Sequence, residues 1–225
     1  MKEYLRWGDY ERSWERYSER WEGFDGALYR LCESRRGHKV LKDVVAKVGL
    51  ISRSYVAGLE RHGKAKGDKA IVATARILQK RHREVDAALT RLRSVAGGGE
   101  SLSVESLAAI VGVHHRLLRI VKKEMRGGDA VRSFISKYVH FHVPAVPLYD
   151  SRAEFILPKS YPLRGRRNLH LEPSVGGDAK YRALCNRFYS LWLDAKARGL
   201  PVSVRRLDQH LRWCFEKLKD ANGNV

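Results

Sequence analysis

Lys137 and Asp150 stand thirteen positions apart in the segment SKYVHFHVPAVPLYDSRA, residues 136–153. An amine and a carboxylate at this spacing can share a cleft if the chain between them turns back. Lysine becomes a nucleophile when burial or cationic neighbours lower its pKa, and it can then attack a sugar carbon and form a Schiff base. A carboxylate beside it can stabilise the positive charge that develops on a sugar as a base departs, or activate the attacking group. Pro144 and Pro147 end the helical pattern that carries Lys137 and force an extended approach to Asp150. Taken without their surroundings, the same two residues also fit a surface ion pair or a helix cap.

The elements around them read as helices, with no convincing strand pattern. Trp7, Trp14 and Trp21 recur seven apart over residues 3–21, with Tyr10 and Tyr17 between them. That stripe is expected to dock on the body of the protein, with base stacking as the alternative. Further helices are predicted over 25–36, over 39–62 with a close at Gly63, and over 68–95. Gly97-Gly98-Gly99 reads as a linker, with Ser101 and Ser103 as N-caps beyond it. It divides an N-terminal helical lobe, 1–97, from a catalytic lobe, 98–225. Within the second lobe the pattern predicts helices over 103–125, with room for a break at Gly112, and over 129–142 after Arg126-Gly127-Gly128. From Leu157 to Gly177 the periodicity fails among Pro158, Pro162 and Pro173, and a long loop of this kind is often functional. Helices over 178–198 and 202–219 end the chain, the second opened by Pro201 and Ser203. The expected architecture is an all-α, two-lobed helical bundle with a DNA-binding cleft between the lobes.

Charge narrows the partner. Forty-four Lys and Arg against 25 Asp and Glu give +19, and the pI is near 10.1, so a polyanion is the leading partner. No apolar run reaches the roughly 18 to 20 residues of a transmembrane helix, which favours nucleic acid over membrane. Cys32, Cys185 and Cys214 are odd in number and far apart, so a disulfide framework and a Cys-x-x-Cys metal knot are both excluded. The charged, aromatic N-terminus lacks the apolar segment of a signal peptide. These features lead to the expectation of a cytoplasmic, nucleoid-associated monomer.

Residues 125–153 resemble the helix-hairpin-helix DNA glycosylases, whose catalytic Lys and Asp follow a glycine-containing hairpin in that order. The likeness is nearest to the archaeal 8-oxoguanine glycosylase branch. There a Lys-x-x-His-aromatic string precedes a Pro-x-x-Asp turn, and here Lys137-Tyr138-Val139-His140-Phe141 precedes Pro147-Leu148-Tyr149-Asp150. The hairpin itself departs from the family's Gly-hydrophobic-Gly form, standing as Arg126-Gly127-Gly128-Asp129. The resemblance implies that Lys137 is the Schiff-base nucleophile or a phosphate contact, and that Asp150 is the catalytic carboxylate. It further implies a double-stranded DNA substrate with an oxidised guanine or another modified base, including a base of invading phage DNA. Such enzymes extrude the target nucleotide from the stack, and no metal or other cofactor is required.

Further residues are assigned to DNA. Arg126, Gly127 and Gly128 would anchor the backbone through outward-facing N–H groups. Arg164, Arg166 and Arg167 lie in the proline-flanked loop, and Arg152 would stand at the cleft beside Asp150. His140 and His142, two apart, face different sides of a helix, so they cannot share a metal; one is read as packed and His140 as facing the groove. Arg53, Tyr55 and Tyr149 are candidates for a base pocket. A rival from another class is a transcriptional regulator: Leu107 to Leu118 has the texture of a helix-turn-helix with its turn at Gly112 and a basic second helix for the major groove. A structural RNA-binding protein accounts for the charge alone.

Overall fold

The computed structural model describes residues 4–55, 59–62, 65, 67–97, 101–122, 128–163 and 168–222. After a single 3-10 turn at Trp7–Asp9, the helices are α1 (Tyr10–Ser34), α2 (Leu41–Ser54), α3 (Leu59–His62), α4 (Asp68–Lys80) and α5 (His82–Ala96). They continue as α6 (Val104–Val121), α7 (Gly128–His142), α8 (Ser151–Ser160), α9 (Ala179–Ala197) and α10 (Val204–Asn222). The described residues contain no strand, and none of their helices is long and apolar enough to cross a membrane.

Several boundaries differ from the expected ones. α1 is one 25-residue helix that runs through Gly23 and Gly26, where the sequence predicts two. The long helix expected over 39–62 stops at Ser54, because Tyr55 leaves the helical region at φ −104°, ψ 11°. The helix expected over 68–95 is broken at Arg81, at φ −103°, ψ 21°. α6 passes through Gly112 without a break, opened by a capping box in which Ser103 and Ser106 satisfy one another's backbone N–H. α8 is unanticipated. It begins at the Asp150 N-cap and holds Pro158 inside it, so the irregular stretch starts only after Ser160.

The tryptophan stripe also packs differently from its prediction. The buried positions of α1 are Tyr10, Ser13, Tyr17, Asp25, Leu28 and Cys32, a helical period carried by the tyrosines. Trp7 and Trp14 sit at the margin of that face, and Trp21 is 47% exposed.

α7 is the central element. Every residue from Phe134 to His142 is buried, polar ones included, so the helix is covered on all sides. It packs against α1, α2, α3 and α6, and α1 also packs against α10. One hydrophobic cluster runs from Leu5 to Cys214 and draws on both sides of Gly97. Burying polar groups on α7 requires partners. Ser136 Oγ accepts the Tyr149 N–H at 2.9 Å, which ties the returning chain to the helix. That bond and the prolines set the path from Lys137 to Asp150.

Candidate active site

Lys137 and Asp150 line one cleft of about 680 Å³. α7 and the segment 148–154 form one wall. α1 with Tyr55, just past the end of α2, contributes a second, and α10 a third.

The amine of Lys137 is buried, with the residue 5% exposed, and yet it faces the cleft. Its Nζ donates to Ser133 Oγ at 2.9 Å, one turn back on α7, and to the Tyr55 carbonyl at 3.2 Å. Burial lowers its pKa; Asp150 and Asp208 oppose the shift, and Arg152 and Arg205 add to it. Two acceptors take two of its N–H bonds, and the lowered pKa favours the neutral amine relative to a solvated lysine. That is the state in which an amine attacks carbon.

Asp150 is the N-cap of α8. Its Oδ1 accepts the N–H groups of Arg152 at 3.0 Å and Ala153 at 2.9 Å. Its Oδ2 has the Arg152 guanidinium at 3.8 Å. One oxygen is fixed by the helix terminus, and the other faces the Arg152 guanidinium at the cleft.

The floor holds groups that the sequence alone did not reveal. Arg205 on α10 is buried and pairs with Asp208 at 2.9 Å and with Asp25 of α1. Tyr17 and Tyr55 both donate their hydroxyls to Asp25, and Arg205 donates to the Tyr55 hydroxyl at 2.6 Å. Burial raises Asp208 to about 6; Arg205 opposes that rise without cancelling it, because the guanidinium is shared with Asp25, and Asp150 adds to it. No spacing rule links Asp25, Arg205 and Asp208 to Lys137, since they lie on the first and last helices.

The mouth carries aromatic surface. Trp21 and Phe24, the latter 42% exposed, line the cleft from α1, and Phe215 lines it from α10. The Arg212 guanidinium lies 6.0 Å from the Trp21 ring. Exposed aromatics of this size are unusual on a surface without a partner. The seven-residue tryptophan spacing was the available signal for Trp21.

Of the other residues assigned from sequence, Arg152, Tyr55 and Tyr149 line the cleft. Tyr149 is buried, its hydroxyl held by Glu154 and its ring faced by Arg132 at 5.1 Å, so it is a fixed wall. Arg53 is corrected: it is exposed on α2 and pairs with Glu60 at 2.9 Å and with Asp68, outside the cleft. His140 is also corrected. It is fully buried, bridging Tyr29 at 2.5 Å and the Val146 carbonyl at 2.8 Å, and burial holds its pKa down at about 3, so it packs as a neutral ring. Gly128 is the first residue of α7 and is exposed. Arg126, Gly127, Arg164, Arg166 and Arg167 lie outside the described residues.

Comparison with protein-family models, with curated proteins and with solved structures gives no match to this chain.

Proposed function

We propose that this chain is a DNA glycosylase that draws a modified nucleotide out of the duplex and into the cleft between its N-terminal and C-terminal halves. The observation that carries the reading is the buried, pKa-lowered amine of Lys137 in one cleft with the half-committed carboxylate of Asp150. The resemblance of residues 125–153 to helix-hairpin-helix glycosylases supports the same assignment.

Cleaving the bond between C1′ and the base leaves positive charge on the sugar. Asp150 Oδ2 would stabilise that charge, since Oδ1 is already spent on the helix terminus. The Lys137 lone pair would bond to C1′ as the glycosidic pair leaves with the base. The ring oxygen then departs from C1′ and takes a proton from the attached nitrogen, giving the Schiff base. The protonated form of Asp208, whose pKa burial raises to about 6, would give its proton to the departing base and be left as the carboxylate that pairs with Arg205. If Lys137 only contacts phosphate, water takes its place as nucleophile, and the role of Asp150 is unchanged.

Flipping a nucleotide costs a few kcal/mol, and stacking on exposed rings offsets part of it. Trp21 and Phe24 are placed for that contact. The cleft volume lies within the usual range of about 300 to 1,000 Å³ for ligand pockets, which accommodates an oxidised guanine or a bulkier base of phage DNA. The helix-turn-helix alternative loses its geometry: residues 107–118 form one unbroken helix, and His114 is buried, stacked on Tyr181 at 3.7 Å.

The test is incubation with duplex oligonucleotides carrying oxidised, alkylated, deaminated or glucosylated bases, and with phage DNA. Abasic sites are scored with and without borohydride. Base release with a borohydride-trapped adduct is expected on at least one substrate. DNA binding without base release from any of them overturns the reading.

A further inference from the structure

A second hollow, of about 700 Å³, shares no lining residue with the cleft. One wall is the α4–α5 junction, with Ile77, Lys80, Arg81 and Glu84. The other is the outer face of α6, where Gly112, His115, Arg116 and Arg119 follow the i, i+3, i+4, i+7 spacing of a single helical stripe.

The cations lining the hollow are mostly uncompensated. Lys80, Arg116 and Arg119 are exposed, and their side chains pair with no acid among the described residues. Glu84 is the one acid lining the hollow, and Arg81 holds it at 2.9 Å. His115 adds a buried Nδ1 without a partner among the described residues.

Gly112 points the same way. It sits inside a continuous helix, where glycine costs about 1 kcal/mol relative to alanine. A Cβ there would meet nothing within 4 Å, so packing does not require the glycine. What it provides is open space at the groove. From Gly112 to Arg119 the stripe spans about 10 Å, close to three axial steps of one DNA strand.

We infer that this groove is a second docking site for DNA, receiving the phosphates of a segment other than the one whose nucleotide enters the cleft. The inference rests on the nucleic-acid part of the proposed function and is independent of the chemistry at Lys137. Guanidinium groups take phosphate oxygens in bidentate fashion, and Ile77 and Ile120 give the stems of Lys80, Arg116 and Arg119 an apolar bed.

The experiment measures the affinity of the full chain for an undamaged duplex across a series of salt concentrations. The wild type is compared with a Lys80→Gln, Arg116→Gln, Arg119→Gln triple variant and with Arg116→Lys, Arg119→Lys. Each lost phosphate contact lowers the slope of log K against log salt by about 0.9. The triple variant is therefore expected to lose about 2 to 3 units of slope and to keep base release at saturating protein unchanged. The lysine variant keeps the slope. A triple variant with the wild-type slope overturns the groove, whether or not base release occurs. A wild type whose affinity ignores salt overturns the nucleic-acid reading itself.

Discussion

Two lysines are buried among the described residues, and they have nearly the same hydrogen bonds. Lys47 on α2 donates to the carbonyls of Arg35 at 2.8 Å and Gly37 at 3.1 Å. Lys137 on α7 donates to the Tyr55 carbonyl and to Ser133. Burial lowers both, Lys47 to about 8. Yet Lys47 fastens the chain between α1 and α2 and lines neither large hollow, whereas Lys137 opens on a cleft that also holds Asp150 and Asp208. A depressed amine is therefore not in itself a nucleophile. Access is what separates these two, since Asp86 and Asp43 also act on Lys47 and only Lys137 opens on the cleft.

The sharpest break of that contrast is an exchange at each position. Lys137→Gln is expected to abolish the borohydride-trapped adduct and to cut base release by at least about 10³-fold, with Lys47→Gln staying within about two-fold of wild type. Equal losses in the two variants would show that Lys137 acts on stability alone. Base release that survives Lys137→Gln would assign the nucleophile to water.

Asp150 allows its observed role as a cap to be separated from its proposed role in catalysis. Asparagine is as good an N-cap as aspartate, so Asp150→Asn should melt as the wild type does and lose base release by about 10²- to 10³-fold. Asp150→Ala should lose the activity and a further ~1 kcal/mol of stability in urea titration. If Asp150→Asn retains full activity, the residue is a cap and nothing more.

The smallest expected effect concerns Lys47 and pH. Its folded pKa is depressed from 10.5 to about 8, so its contribution to stability is fully present above 10.5 and is lost as pH falls through 8. Lys47→Gln should therefore flatten the dependence of melting temperature on pH between about 8 and 10.5. An unchanged profile would mean that Lys47 is solvated in the folded chain.

The all-helical class was legible because periodicity and caps agree over α6, α9 and α10, and periodicity holds over α7. α8 was hidden by Pro158, which reads as a breaker although the Asp150 cap three residues before Ala153 announces a helix. α1 was divided at Gly23 and Gly26 because each glycine lowers helix propensity, and packing along the tyrosine face overrides it. Within the candidate site, Lys137 and Asp150 are close enough in sequence for one turn to bring them together. Asp25 and Arg205 are joined only by the tertiary fold, and local pattern carries no record of it. His140 was misplaced for a related reason: alternation along a helix gives two faces, but between Phe134 and His142 only Lys137 reaches the cleft and His140 is covered.

The pairing of α1 with α10 has a consequence for when the site comes into being. Asp25 and Arg205 are 180 residues apart, and together they hold the hydroxyl of Tyr55, the residue whose carbonyl anchors Lys137. During synthesis, helices α1 to α9 emerge before α10 does. A nascent chain therefore displays much of its cationic surface while the floor beneath Lys137 is still missing, and the cleft is complete only once α10 has emerged.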